Sequence, residues 1–246
     1  MRKTSVGFLA VALLTFAPFS VGAATKYAKT KTAKATTSKF TPKDGEPIAH
    51  ASSEERSGPD EIYPDVEKNP GAIDPEVTQD NIADNICNKA FKTSTIRPPS
   101  SYTTKLKKQQ MADTYGDTVQ QTTADLGGAN YDEDQCVEHS DNTRCYEEDH
   151  IVSLQNGGAP SDARNLFPES YTTTVEGDRV GAREKDKVEN FVHNGICLDV
   201  TNAKFSNGPK PKKALTLEDG QRILALDWYA CYVSMVAGED CTPPAK

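Results

Sequence analysis

The chain of 246 residues carries 28 Lys and Arg against 36 Asp and Glu, a formal net charge of −8. That length allows one domain with tails, or two small domains, around a true hydrophobic core. The acidic balance excludes a protein that grips nucleic acid over its whole surface, so any such contact must come from local basic patches.

Residues 1–23 read as a signal peptide. "MRKT" is the basic n-region, "VGFLAVALLTFAPFSV" the apolar h-region, and "VGAA" supplies small residues for cleavage after Ala23 or Ala24. An uncleaved anchor is the other reading, but the run is short for a bilayer and contains Pro18. The expectation is an exported protein, periplasmic or secreted, with no membrane contact once the leader is removed. Losing Arg2 and Lys3 takes the net charge to −10.

Residues 24–80 are Lys, Thr, Ala and Ser, then Pro, Gly, Asp and Glu, with few large apolar side chains. Such composition predicts a disordered polar linker. Its six lysines from Lys26 to Lys43 suit a solvated tail better than an anion-binding arm.

The folded domain is expected over 81–246, starting near Ile82. "SYTTKLKKQQMADTYG" predicts a helix stopped by Gly116, and the polar stretch 117–145 predicts a long loop. "YEEDHIVSL" has strand character around Ile151 to Leu154, "NGG" is a turn, and "RNLFP" begins a returning strand. "GAREKDKVENFVHNG" predicts a helix with Ala182, Val188, Phe191 and Val192 on its apolar face and Gly195 as cap. "LTLEDGQRILALDWYACYVSMVAG" predicts one longer helix entered through Thr216 and Asp219, with Leu217, Leu224, Trp228, Cys231 and Met235 on one face.

Six cysteines in an exported chain favour disulfides, and six allow 15 connectivities. The expected pairs are Cys136 with Cys145 as a loop staple, Cys197 with Cys231 between two helices, and Cys87 with Cys241 by elimination. A zinc knuckle from Cys136, His139, Cys145 and His150 is the less favoured alternative.

The chemistry centres on "YEEDHIVSLQNGGAPSDARNL" and the helix after it. Lys185, Glu189 and His193 are four apart and stack on one helix face. Glu189 and His193 at that spacing can ligate one metal ion, although an exposed Lys185–Glu189 ion pair beside an unrelated histidine would look the same. If the strand end is twisted, Asp149 can join them while His150 faces a water molecule. A neutral His150 could then take a proton from water attacking a phosphodiester, with the cation stabilising the phosphorane. Asn165 would hydrogen-bond across the loop and orient the histidine. Arg97, Lys105, Lys107, Lys108, Arg183 and Lys185 are candidates to meet phosphate, although a solvated helix face is the favoured reading for each but Lys185. Lys185 stands out because it lies one turn before Glu189.

"EEDHIVSLQNGGAPSDARNL" followed by "GAREKDKVENFVH" resembles the HNH, or His-Me finger, nucleases, and more closely exported bacterial HNH-like proteins. The resemblance runs from "ICNKAFKTSTIRPPSSYTTKLKKQQ" to "ALDWYACY". It implies an α+β fold with a ββα-metal core flanked by further helices. It implies His150 as general base, Asn165 as the middle Asn of the hairpin, and Asp149, Glu189 and His193 as ligands. The sequence departs from many such nucleases in having acids where histidines often stand, and it lacks zinc-binding CxxC pairs. A mixed Asp/Glu/His set suits one divalent ion, Mg²⁺ or Mn²⁺ first and Zn²⁺ next. The expected activity is metal-dependent endonuclease cleavage of DNA or RNA with little sequence specificity, since no base-reading module is recognisable. The alternative is a non-catalytic exported scaffold or binding module that keeps the same fold.

Overall fold

Among the described residues, amphipathic spacing, buried asparagine side chains and two disulfides organise the fold. The computed structural model describes residues 40–48, 62–113, 115, 146–171, 174–175 and 178–245. The expected signal peptide, residues 24–39, the expected loop over 117–145 and the expected Cys136–Cys145 pairing with its knuckle alternative lie outside them.

The architecture is α+β. Among the described residues, four α-helices accompany three two-stranded antiparallel sheets. The helices are α1 (Ser100–Asp113), α2 (Ala182–Ile196), α3 (Leu217–Leu226) and α4 (Trp228–Val236). The sheets pair β1 (Glu46–Pro47) with β2 (Ala72–Ile73), β3 (Tyr146–His150) with β4 (Leu166–Ser170), and β5 (Thr174–Val175) with β6 (Asp178–Arg179). No helix among these residues is long and apolar enough to cross a membrane.

Helix α2 sits at the centre of the core. Val188, Phe191, Val192 and Ile196 recur at helical spacing, so one stripe is apolar. That stripe is buried with Leu217, Ile223 and Leu224 of α3 and Trp228 of α4. The helix begins where Glu184 accepts a hydrogen bond from the Gly181 N–H at 3.1 Å. It runs through Gly195 rather than ending there. A Cβ at Gly195 would press on Leu215 and Pro211, so the glycine serves close packing instead of a cap.

The long C-terminal helix is two helices. Asp227 leaves helical geometry (φ −156°, ψ 62°), and its Oδ1 accepts from the Ala230 N–H at 3.1 Å and from the Tyr63 hydroxyl at 2.8 Å. The aspartate therefore caps α4, and the apolar periodicity continues across the break. Thr216 caps α3 as expected of its position, accepting from the Asp219 N–H.

Part of the span expected to be a linker is folded. Ile62, Tyr63, Asn69 and Ala72 are buried. Residues 40–48 lie along the loop after β3: the Lys43 N–H donates to Ser161 Oγ, and the Gly45 N–H to Asp162 Oδ2, both at 2.8 Å. Hydrogen bonds rather than apolar burial order this segment, which is why its composition reads as disordered. Lys43 itself forms an exposed pair with Glu76.

The strand of the Asp149–His150 region also differs from expectation. Pairing covers Tyr146–His150, in register from Tyr146 with Ser170 to His150 with Leu166, and the apolar Ile151–Leu154 run turns away into the core. There Ile151 and Val152 are buried on the loop side. Gly157 follows at φ +78°, a conformation that glycine adopts freely and other residues rarely do.

Cys87 pairs with Cys197, and Cys231 with Cys241. These replace the expected Cys197–Cys231 and Cys87–Cys241 pairs. Cys197, at the end of α2, meets the turn over residues 82–88, where the Lys204 N–H also donates to the Cys87 carbonyl at 2.8 Å. Cys231 meets the chain as it returns after α4. The two disulfides among the described residues fit an exported protein.

The Cys87–Cys197 bridge joins residues 110 apart in sequence. Its removal in a Cys87→Ser/Cys197→Ser variant is expected to cost about 2–5 kcal/mol of unfolding free energy. Urea denaturation against the wild type reads this directly, and an unmoved midpoint would show that the bridge constrains nothing.

Candidate functional site

The loop between β3 and β4 is built around Asn165. Its Oδ1 accepts from the Val152 and Ala72 N–H groups at 2.9 and 3.2 Å, and its Nδ2 donates to the Val152 and Ala159 carbonyls, both at 3.0 Å. The side chain is fully buried. It positions backbone. Asn69 supports the same corner, donating to the Ala163 and Leu166 carbonyls.

This loop brings the Pro160 carbonyl to His150, whose Nε2 lies 2.9 Å from that oxygen. A carbonyl only accepts, so Nε2 carries the hydrogen and Nδ1 keeps its lone pair. Burial holds the His150 pKa down at about 4, against the Pro160 hydrogen bond and the charge of Asp149. The ring is therefore neutral, and a proton acceptor, at ordinary pH.

Beside it opens a cleft of about 310 Å³, lined in part by Arg97, Asp149, His150, Arg183, Asp186 and Glu189. Arg97 follows the turn before α1, and Arg183 and Asp186 sit in the first turns of α2, where they pair at 3.4 Å. Arg183 also lies over the Tyr171 ring, 4.9 Å from its centroid. Glu147 and Glu148 line the same cleft.

Lys185 lies behind this wall. It is 1% exposed. Its Nζ donates to Asp149 Oδ2 at 2.5 Å, Glu189 Oε1 at 2.7 Å and the His150 carbonyl at 2.8 Å. Glu169 Oε2 lies 3.6 Å away. The expectation that Lys185 meets a substrate phosphate is thus corrected, because the residue faces inward and anchors α2 to β3. The Lys185–Glu189 ion pair that its spacing allowed is present, but buried rather than exposed.

The charges settle unevenly. Burial opposes the charge on Asp149, yet the Lys185 ammonium and hydrogen bonds with Glu169 and Lys185 hold its pKa at about 2. Burial and the charge of Asp149 raise Glu189 to about 8, against the pull of Lys185. Burial raises Glu169 well above the usual range, and Asp149 adds to the effect. Burial would lower Lys185, but Asp149, Glu189 and Glu169 hold it well above its ordinary value. Glu148 is pushed by burial to about 8, with Lys107 opposing.

His193 is elsewhere. Its Nδ1 lies 2.8 Å from the Gln155 carbonyl and its Nε2 3.2 Å from the Lys204 carbonyl, beside Cys197 Sγ. Burial lowers its pKa. The structure thus joins Asp149 and Glu189, through Lys185, and leaves His193 apart. Among the described residues no group of three His, Cys, Asp or Glu side chains is arranged to hold a metal ion. The residues do not fit a divalent ion as the ligand assignment required, since an ammonium lies between the two carboxylates and both ring nitrogens of His193 face carbonyls.

Sequence reasoning did not single out Glu169. In β-pairing it stands opposite Glu147 on the face that also carries Asp149. Two-residue alternation was the available signal. Lys107, weighed as a phosphate clamp, donates to the Tyr146 carbonyl at 2.8 Å, and Lys105 and Lys108 lie on the exposed side of α1.

No family model, curated protein or solved structure matches the chain.

Replacing Asn165 by Ala removes four hydrogen bonds to buried backbone groups. It is expected to lower unfolding free energy by about 2–4 kcal/mol. Chemical denaturation measures the loss, and wild-type stability would show that those bonds are dispensable.

Proposed function

We propose that the cleft beside His150 hydrolyses phosphodiester bonds of DNA or RNA, and that β3, β4 and α2 correspond to the ββα core of an HNH-like nuclease. The observation that carries this reading is His150, a neutral imidazole tied through Nε2 to Pro160, lining a cleft that also carries Arg97 and Arg183. Nδ1 takes the proton of a water molecule as its oxygen attacks phosphorus. The arginines hold the phosphate oxygens, and the leaving oxygen is protonated from solvent as the P–O bond breaks. Asn165 positions the loop that holds the base. No step is routed through a divalent ion, because Lys185 stands between Asp149 and Glu189. Among the described residues no base-reading element lines the cleft, which supports low sequence specificity.

The test is cleavage of labelled DNA and RNA by the mature protein, with Mg²⁺, Mn²⁺, Zn²⁺ and EDTA arms. His150→Ala should lower the rate by roughly 10²–10⁴-fold. Intact activity in that variant would remove His150 as the base.

The pH profile supplies a second check. Below about 4 His150 is protonated and cannot accept a proton, so the rate falls with falling pH. Above about 8 Glu148 loses its proton and adds negative charge beside the phosphate, so the rate falls again. An acid limb near the ordinary histidine value of about 6.5 would contradict the buried, neutral His150.

One observation favours a non-catalytic exported scaffold: Lys185 satisfies Asp149 and Glu189 internally, as a purely structural cluster would. That reading predicts no cleavage of either nucleic acid in any arm of the series.

A further inference from the structure

The cluster behind His150 presents oxygen atoms that a hard cation would take. They are two carboxylates, Asp149 and Glu189, and one backbone carbonyl, that of His150, with Glu169 close by. They come from β3, from α2 and from β4. They converge on one point, and that point is the nitrogen of Lys185.

An ammonium has three N–H groups and no acceptor. Here each has its own oxygen, at 2.5, 2.7 and 2.8 Å. Each of the three donors has an acceptor, while Glu169, at 3.6 Å, takes none of them, and the nitrogen is sealed from solvent at 1% exposure. A divalent ion between Asp149 and Glu189 would have to sit beside this charge or expel it. Sitting beside it sets like charges together in a poorly hydrated place. Expelling it strands three donors and withdraws a side chain packed into the interior.

We propose that Lys185 is the resident cation of this site. It does the charge-neutralising and strand-to-helix joining of a bound ion, and so closes the Asp149–Glu189 pair to divalent metals. Lys185 is a positioning residue: its ammonium fixes the backbone of His150 through the carbonyl and holds α2 against β3. This inference rests on the reading of the neighbouring cleft as the functional site. Its test reads metal occupancy and never cleavage, so the nuclease reading and this one can fail separately.

The experiment titrates Mn²⁺ into the mature protein and follows the EPR signal of the free ion. Wild type, Asp149→Asn, Lys185→Met and the Lys185→Met/Asp149→Asn double variant are compared. Ions held elsewhere on an acidic chain appear equally in wild type and Asp149→Asn and cancel in the difference. The expected result is no difference between those two proteins. Lys185→Met, with a stem of similar length and no charge, should gain a bound ion that the double variant loses again. Its affinity there should exceed that of wild type by on the order of a hundredfold. A wild-type ion abolished by Asp149→Asn would overturn the proposal, as would a folded Lys185→Met that gains none. If circular dichroism shows that Lys185→Met does not fold, amine acylation of the wild type read by mass spectrometry decides the matter. Lys185 protected with and without saturating Mn²⁺ supports the proposal, and Lys185 made reactive by Mn²⁺ overturns it.

Discussion

One buried ammonium carries much of this structure. A charge at the position of Lys185 would be costly alone, with an effective penalty of several kcal/mol even after relaxation. It is tolerated because Asp149, Glu189 and the His150 carbonyl each accept one of its hydrogens. Those partners belong to β3 and α2, so the ion pair also sets how the hairpin meets the helix. The apolar stripe of α2 supplies the burial that holds the helix in the core, but burial is non-directional. The ammonium gives direction, because its bonds are satisfied in one register only.

A second constraint acts on the loop. Fifteen residues separate the paired ends of β3 and β4, and such a connection orders only if its backbone groups find partners. Asn165 mimics a stretch of backbone there, taking two N–H groups and serving two carbonyls. The loop in turn delivers Pro160 to His150, so the imidazole tautomer follows from an asparagine several residues away. Rigid positioning of a side chain by atoms behind it is a common requirement of precise sites. Here the Pro160 carbonyl holds the imidazole.

Much of the outline was legible in the chain. The start of α3 carries a capping signal at Thr216, and α2 has a clean apolar stripe. The turn at "NGG" followed from its chemistry, although it lies inside a long loop and not between the paired strands, and the i, i+4 spacing of Lys185 and Glu189 allowed their ion pair. Other features left no such trace. Apolar periodicity runs straight across Asp227, so a break made by a capping carboxylate looks like continuous helix. Cysteine pairing depends on which ends meet in space, and spacing alone carries no such information. Burial of Lys185 was equally hidden, because a lysine among charged neighbours reads as solvated until the strand opposite is known to bring Asp149. His193 shares the helix face of Glu189 by spacing, but rotamer and neighbours turn it to the carbonyls of Gln155 and Lys204.

The segment over residues 40–48 has a consequence for how the chain can be shortened. It is remote in sequence from the cleft, yet Gly45 and Lys43 satisfy Asp162 and Ser161, and Ala72 donates to Asn165. A polypeptide begun at Ile82, where apolar patterning first becomes dense, would retain every cleft-lining side chain. It would lack the strap that keeps the Pro160 corner in place. The boundary of the working unit is therefore drawn by main-chain partners and lies some forty residues ahead of where hydrophobicity alone would put it.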